Sequence, residues 1–191
     1  LYGSDNNCFT LGSSIDQRAE QFIFIGQLIH RKGIDTLVEG FKTFLKSHPK
    51  WKLIIYGEGE CIDLVQNCSA IIVYPFAQPP QIAQALRESR FLILPSRIDH
   101  WPLVVVEASL AGCGLILSEN IGNISELLSE KNGFTFSARS GKSLSISLEK
   151  AASLSISRLK EVSKESFRLG SKFTTEEWSK NFCKIISEMT H

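Results

Sequence analysis

Residues 22–45 read FIFIGQLIHRKGIDTLVEGFKTFL, and this stretch decides the fold. FIFIG is a continuous apolar run, the pattern of a strand covered on both faces in a parallel sheet. QLIHRKG is a loop with a basic end. Beyond it, Ile34, Leu37, Val38, Phe41, Phe44 and Leu45 recur at helical spacing, so a helix starting near Ile34 has one apolar face. Strand, loop and amphipathic helix make the first half of a βαβ unit.

The pattern continues in both directions. Upstream, residues 1–20 are polar and rich in turn formers, which predicts a lead-in loop or linker. Downstream, WKLIIY (51–56), AIIVY (70–74), residues 91–94, residues 115–118 and residues 133–136 read as five further strands. Short helices are predicted over 62–67 and 81–88, the latter opened by Pro79 and Pro80. Another runs to Ala111 with Pro102 in its first turn and Gly112 and Gly114 ending it; GNISELLSE gives a short one. From Lys142 onward the pattern is helical, with a break near Gly170 and a last helix capped by Thr174 or Thr175. The prediction is an α/β fold: a Rossmann-like open parallel sheet of about six strands with helices on both faces. Ligands of such sheets bind beyond the carboxyl ends of the strands, at the point where strand order reverses.

Composition narrows the partners. At 191 residues the chain fits one domain, and 43% hydrophobic with 21% charged residues is a globular balance. A net charge of +1 offers no electrostatic reason to expect nucleic acid or a membrane surface. No apolar run approaches the ~20 residues needed to span a bilayer. The five cysteines are scattered and form neither C-x-x-C nor a His-paired zinc spacing, which fits reduced thiols in a cytoplasmic setting. His30, His48, His100 and His191 show no metal-ligand spacing with one another or with the cysteines, so no metal is expected. Hydrolase, zinc-enzyme and thiol-redox motifs are missing. The chain opens on Leu1, which leads us to expect a fragment of a longer protein, although a processed chain would look the same.

Three loops after strands carry candidate chemistry. In the first, Arg31 and Lys32 precede a helix start, where N–H groups and the macrodipole favour an anion such as phosphate; a solvated basic turn would read the same. In the second, Gly57-Glu58-Gly59 either lets backbone approach a ligand or is a plain turn. The third is LPSRIDHWPLVVVE, residues 94–107, which sets Asp99 and Glu107 eight positions apart. Ser96 and the N–H groups near Leu103 and Val104 offer a diphosphate site, and Glu107 an acceptor for a ribose diol. Equally, Asp99 could cap the helix and Glu107 sit at the surface. His100 is the one histidine in a candidate loop, as a base or as a solvated side chain.

FIGQLIHRKGIDTL, LIIYGEGE, LPSRIDHWPLVVVEASLAGC and ENIGNISELL, in this order, resemble the C-terminal, donor-binding half of GT-B glycosyltransferases, specifically the retaining family four, glycosyl transferases group 1. The resemblance spans about residues 22–136. It implies a nucleotide-sugar-binding domain over 21–173 and a closing helix over 174–191 that crosses toward a missing N-terminal, acceptor-binding domain. It places the family's Glu-x7-Glu motif on Asp99, against the transferred sugar, and Glu107, against the ribose. Lys32 matches the lysine that neutralises the donor diphosphate and Gly26 the glycine before it. Leu103 and Val104 match backbone donors to the phosphates, and Tyr74 to Phe76 the segment beside the base. Lys32, Asp99 and Glu107 are thus the implied catalytic residues, with Gly26, Gln27, Gly57, Glu58, Tyr74, Phe76, Ser96, Leu103 and Val104 around the donor.

The chain departs from the family pattern at Gln27, where arginine is common, at Asp99, where glutamate is common, and at Pro102, where glycine is usual. The implied activity is hexosyl transfer from a nucleotide-diphosphate sugar to a saccharide or lipid-linked saccharide, with retention and without metal or cofactor. A polysaccharide or lipopolysaccharide pathway is the implied setting. The implied location is cytoplasmic, at the inner face of the membrane in a full-length protein whose missing domain alone makes peripheral membrane contact. No transfer is expected from this chain alone. Two other readings fit less of the sequence: a nonhydrolysing nucleotide-sugar epimerase, and a non-catalytic α/β module that binds nucleotide or protein.

Overall fold

The computed structural model describes residues 3–189. Residues 1 and 2 of the expected lead-in segment and residues 190 and 191 of the expected closing helix lie outside them. Six strands, β1 (Gln21–Ile25), β2 (Lys52–Tyr56), β3 (Ile71–Tyr74), β4 (Phe91–Leu94), β5 (Gly114–Ser118) and β6 (Gly133–Phe136), form one sheet in the order β3-β2-β1-β4-β5-β6. Every pairing is parallel. Parallel pairing requires a crossover between neighbours, and the helices supply it.

The helices are α1 (Ile34–Leu45), α2 (Ile62–Val65), α3 (Pro79–Glu88), α4 (Leu103–Leu110), α5 (Ile124–Leu127), α6 (Gly141–Ala152), α7 (Ile156–Gly170) and α8 (Thr175–Met189). One face of the sheet carries α1, α2 and α6, the other α3, α4, α5 and α7. Because both faces are covered, the central strands are buried along their whole length: Phe91 to Leu94 and Gly114 to Ser118 show no exposed residue. The strand positions expected from sequence hold to within one residue.

An aromatic cluster fixes how α1 lies on the sheet. Phe22 of β1 stacks on Trp51 at 4.4 Å between ring centroids and meets Phe44 of α1 edge-on at 5.4 Å. All three are buried, and truncating a ring at such a site costs ~3–5 kcal/mol.

Several boundaries differ from the sequence reading; α2, for one, ends at Val65 instead of residue 67. Helix α3 starts two residues early, because Pro79 and Pro80 occupy its first turn and the Gln78 N–H finds the Gln81 side chain at 3.1 Å. Pro102 stands just before α4, extended at ψ 114°, with its carbonyl accepting from the Val105 N–H. Gly114 opens β5 instead of ending α4, since any side chain there would run into the Phe91 ring.

The segment before β1 packs onto the domain. Phe9 and Ile15 are buried, and the buried Arg18 donates to the carbonyls of Ser13, Ser89 and Ala111 at 3.0, 3.1 and 2.8 Å. Ser4 pairs with the chain just before α8, where the Thr174 hydroxyl accepts the Glu177 N–H as a helix cap.

Candidate active site

Strand order reverses between β1 and β4, so the loops that follow these strands face each other across the carboxyl edge of the sheet. Gly33 closes the first loop with φ 70°, and a Cβ there would lie 2.1 Å from the Pro95 carbonyl oxygen. Only glycine allows both the left-handed turn and that approach. The loops are then stitched together. The Arg97 N–H donates to the Arg31 carbonyl at 2.9 Å, the Arg31 guanidinium to the Ile98 carbonyl at 3.2 Å, and Arg97 pairs with Asp35 at 2.5 Å.

This stitching brings two predicted site residues into contact. The Lys32 amine pairs directly with the Asp99 carboxylate, and both side chains are about six-sevenths shielded, at 15% and 14% exposure. Asp99 is held from the other side by the loop after β5: its carbonyl accepts the Gly122 N–H at 2.8 Å and its N–H reaches the Asn120 carbonyl at 3.4 Å. Asn120 also donates to the Arg97 carbonyl, and Asn123 to the Pro102 carbonyl. Trp101 packs edge-on against Phe173, with centroids 5.6 Å apart, which connects the Asp99 loop to the chain entering α8. These supporting roles of Asn120, Asn123 and Trp101 carry no spacing signal, because each depends on a contact distant in sequence.

The second group gathers next to the first. The Gly26 N–H donates to the Tyr56 carbonyl at 3.0 Å, and a Cβ on Gly57 would lie 1.9 Å from the Gly26 carbonyl oxygen. A cleft of about 350 Å³ opens at this junction, lined by Ile25, Gly26, Gln27, Gly57, Glu58 and Phe76 among others. Tyr74 does not line it. Instead Tyr74 stacks on Tyr56 at 4.9 Å and borders a neighbouring cleft of about 380 Å³ against α3, while Phe76, 76% exposed, edges both.

Helix α4 holds the rest. Ser96 is fully buried after β4, its carbonyl accepting from the Ser118 hydroxyl at 2.5 Å and its own hydroxyl unpartnered. Leu103 and Val104 form the first turn, whose N–H groups have no partner within the helix and whose dipole is positive. Glu107 follows one turn on, half-buried, and among the described residues it makes no side-chain hydrogen bond or ion pair. Burial pushes its carboxyl from the ordinary 4.5 up to about 7. His100 is exposed and contributes only its carbonyl side to the packing against Gly122. A lysine, an exposed amide at Gln27 and a helix N-terminus thus surround one edge, which suits a polyanion with a polar, hydroxylated neighbour. Beside Lys32, the side chains of His30, Glu60 and Cys61 come within 4.8 Å of one another and are competent metal ligands.

The family model described as "Glycosyl transferases group 1" matches residues 12–166. An uncharacterized glycosyltransferase of Methanocaldococcus jannaschii is 23% identical over 133 residues, which cover 65% of this chain and 34% of that protein. The chain spans about a third of the length of the first curated relatives it matches. Among solved structures, the C-terminal domain of a glycosyl transferase group 1 family protein (LpcC) from Francisella tularensis superposes with a TM-score of 0.78 at 20% identity, covering 91% of this chain and all of that one. The pneumococcal O-GlcNAc transferase GtfA, solved in complex with UDP and GlcNAc, superposes at 0.77 with 22% identity, covering 99% of this chain and 39% of that one. At these identities the likeness shows the fold.

Proposed function

The chain belongs to the glycosyl transferases group 1 family, and on that premise we propose that it is the donor-binding half of an enzyme that moves a hexose from a nucleotide-diphosphate sugar to a saccharide or lipid-linked saccharide, with retention and without a metal in the transfer step. The observation that carries the reading is the Lys32–Asp99 pair across the strand-order reversal, beside the cleft lined by Gly26, Gln27, Gly57 and Glu58.

As the glycosidic bond breaks, charge grows on the leaving diphosphate, so the groups that matter most are those aimed at that charge. Lys32 supplies a full positive charge. The first-turn N–H groups of α4 at Leu103 and Val104 add the helix dipole, and the exposed Gln27 amide adds a hydrogen-bond donor where the family commonly has a guanidinium. Asp99 holds Lys32 in place in the free chain. With donor bound, the amine turns to the diphosphate and the released carboxylate accepts from the sugar hydroxyls. Glu107, once ionised, accepts from the ribose diol. Phe76 and the segment after β3 border the base. The nucleotide's own phosphate takes the acceptor proton.

The acceptor is bound by a separate N-terminal domain. α8 is suited to reach it, since Trp178 and Phe182 stack at 5.2 Å on an exposed face. Among the described residues no helix is long and apolar enough to cross a membrane, and the reading places the full enzyme in the cytoplasm, with any membrane contact made by the other domain. Polysaccharide or lipopolysaccharide assembly is the setting this implies.

Titration of the chain with UDP, GDP and dTDP tests the reading. One of them binds, and Lys32→Ala and Glu107→Ala each weaken it; absence of nucleotide binding by the full-length protein would sink it in favour of a non-catalytic module.

A further inference from the structure

His30 and Cys61 lie on different loops, after β1 and after β2, yet the fold brings their side chains together with Glu60. Their ligand atoms, an imidazole nitrogen, a thiol sulfur and a carboxylate oxygen, all lie within 4.8 Å of one another. Among the described residues none of the three side chains is engaged in a hydrogen bond or an ion pair. Among the described residues nothing else engages these three donor atoms, so one ion could draw on all of them.

The backbone beneath them is fixed. The Leu28 N–H donates to the Glu58 carbonyl and the Cys61 N–H to the Leu28 carbonyl, both at 2.8 Å. A Cβ on Gly59 would fall 2.4 Å from the Leu28 carbonyl oxygen, so the two loops touch directly. Cys61 is buried, whereas His30 and Glu60 are exposed, so the triad has a shielded floor and an open side.

We infer that His30, Glu60 and Cys61 bind a zinc ion that clamps the loop after β1 to the loop after β2, with water completing the shell. The donor set is that of a borderline-soft cation: sulfur and imidazole exclude magnesium and calcium, which take oxygen ligands. Tetrahedral zinc with bonds of ~2.0–2.3 Å separates its ligands by ~3.3–3.6 Å, within reach of small rotations of the exposed His30 and Glu60 side chains. On binding, the Cys61 thiol becomes a thiolate and its proton leaves to solvent. The ion takes no part in sugar transfer. Its place is structural: His30 opens the single turn of 3-10 helix that ends in Lys32, so an ion held there stiffens the loop that presents the lysine.

Cobalt(II) reports on the site, because a thiolate ligand gives it a near-ultraviolet charge-transfer band. The intact chain should take up a single Co2+ with that band, and Zn2+ should displace it. Cys61→Ser should abolish the band while Cys183→Ser, an exposed thiol elsewhere, keeps it. His30→Ala and Glu60→Gln should each weaken Co2+ binding ~10-fold or more, at least the effect of losing a supporting partner of a metal ligand. These two residues are exposed, so their variants decide the matter even where Cys61→Ser fails to fold by circular dichroism. The inference is overturned by a chain that shows no band at saturating Co2+, by a band that survives Cys61→Ser, or by unchanged affinity in both His30→Ala and Glu60→Gln. Each of these readouts is independent of nucleotide binding.

Discussion

Lys32 and Asp99 are 67 residues apart in sequence and form an ion pair across the loops that follow β1 and β4. The contact places an anion, supplied by the protein itself, where the proposed function puts the donor diphosphate. Lys32 is thereby held in one position before any ligand arrives, and Asp99 is its competitor for a phosphate.

Removing that competitor should show in affinity. Asp99→Asn is expected to tighten nucleoside diphosphate binding by up to ~5-fold, since a partly shielded ion pair contributes ~1 kcal/mol or less. Lys32→Ala should weaken it by ~10-fold or more, the loss of a charge-assisted hydrogen bond worth ~1.5–3 kcal/mol. Isothermal titration on both variants checks the pair; a weaker complex in Asp99→Asn would rule out competition.

Glu107 gives two pH signatures. Its folded-state carboxyl is raised from 4.5 to about 7 by burial, so between those values the folded chain holds a proton that the unfolded chain has lost. Stability from this group is therefore complete below pH 4.5 and falls as pH rises toward 7, by ~3 kcal/mol. Glu107→Gln should be more stable than the unaltered chain at pH 8 and lose that slope in urea titrations from pH 5 to 8.

Nucleotide binding should run in the opposite direction. Accepting from both hydroxyls of a ribose diol calls for the ionised carboxylate, so affinity is expected to rise as pH increases through about 7. Glu107→Gln should bind weakly and keep only the shallower pH dependence of the ligand's own terminal phosphate, which titrates at ~6. A profile in the unaltered chain no steeper than that of Glu107→Gln would remove Glu107 from the ribose.

Gly33→Ala tests the docking of the loops. Its φ of 70° and the 2.1 Å approach to the Pro95 carbonyl leave no room for a methyl group. Strain and overpacking together should cost ~2–6 kcal/mol in denaturant titration. The Lys32 contact should loosen with it, visible as nucleotide affinity lost beyond what unfolding accounts for.

The isolated chain should bind nucleotide without transferring sugar at a useful rate. Charged residues in place of Trp178 and Phe182, exposed at 47% and 49%, should leave nucleotide binding unchanged and weaken docking to the N-terminal domain of the full-length protein. Robust transfer by the 191-residue chain would overturn the division of the enzyme into donor and acceptor halves.

Most of the fold was legible in local pattern. An unbroken apolar run such as FIFIG can be only a strand buried on both faces or part of a buried helix, and the glycine and basic loop after it, followed by a helical period, decide for the strand. Pro79, Pro102 and Gly114 mark starts that shifted by a residue or two; at Gly114 the reason is the Phe91 ring, a contact distant in sequence. The group 1 resemblance, carried by four ordered motifs, likewise needed only the chain.

Tertiary structure alone decided which side chains meet. Sequence spacing set Asp99 against Glu107, eight positions on, but the fold pairs Asp99 with Lys32 and leaves Glu107 half-buried with no side-chain partner among the described residues. It also divided Tyr74 from the cleft at Gly26 and Gln27, and it brought His30 to Cys61 from two different loops. The physical reason is the same in each case. Strand and helix periods are properties of neighbouring residues, whereas a site at the carboxyl edge of a parallel sheet is assembled from loops whose order in space is fixed by crossovers. Its charge pairs and its burial exist only once those loops have closed on one another.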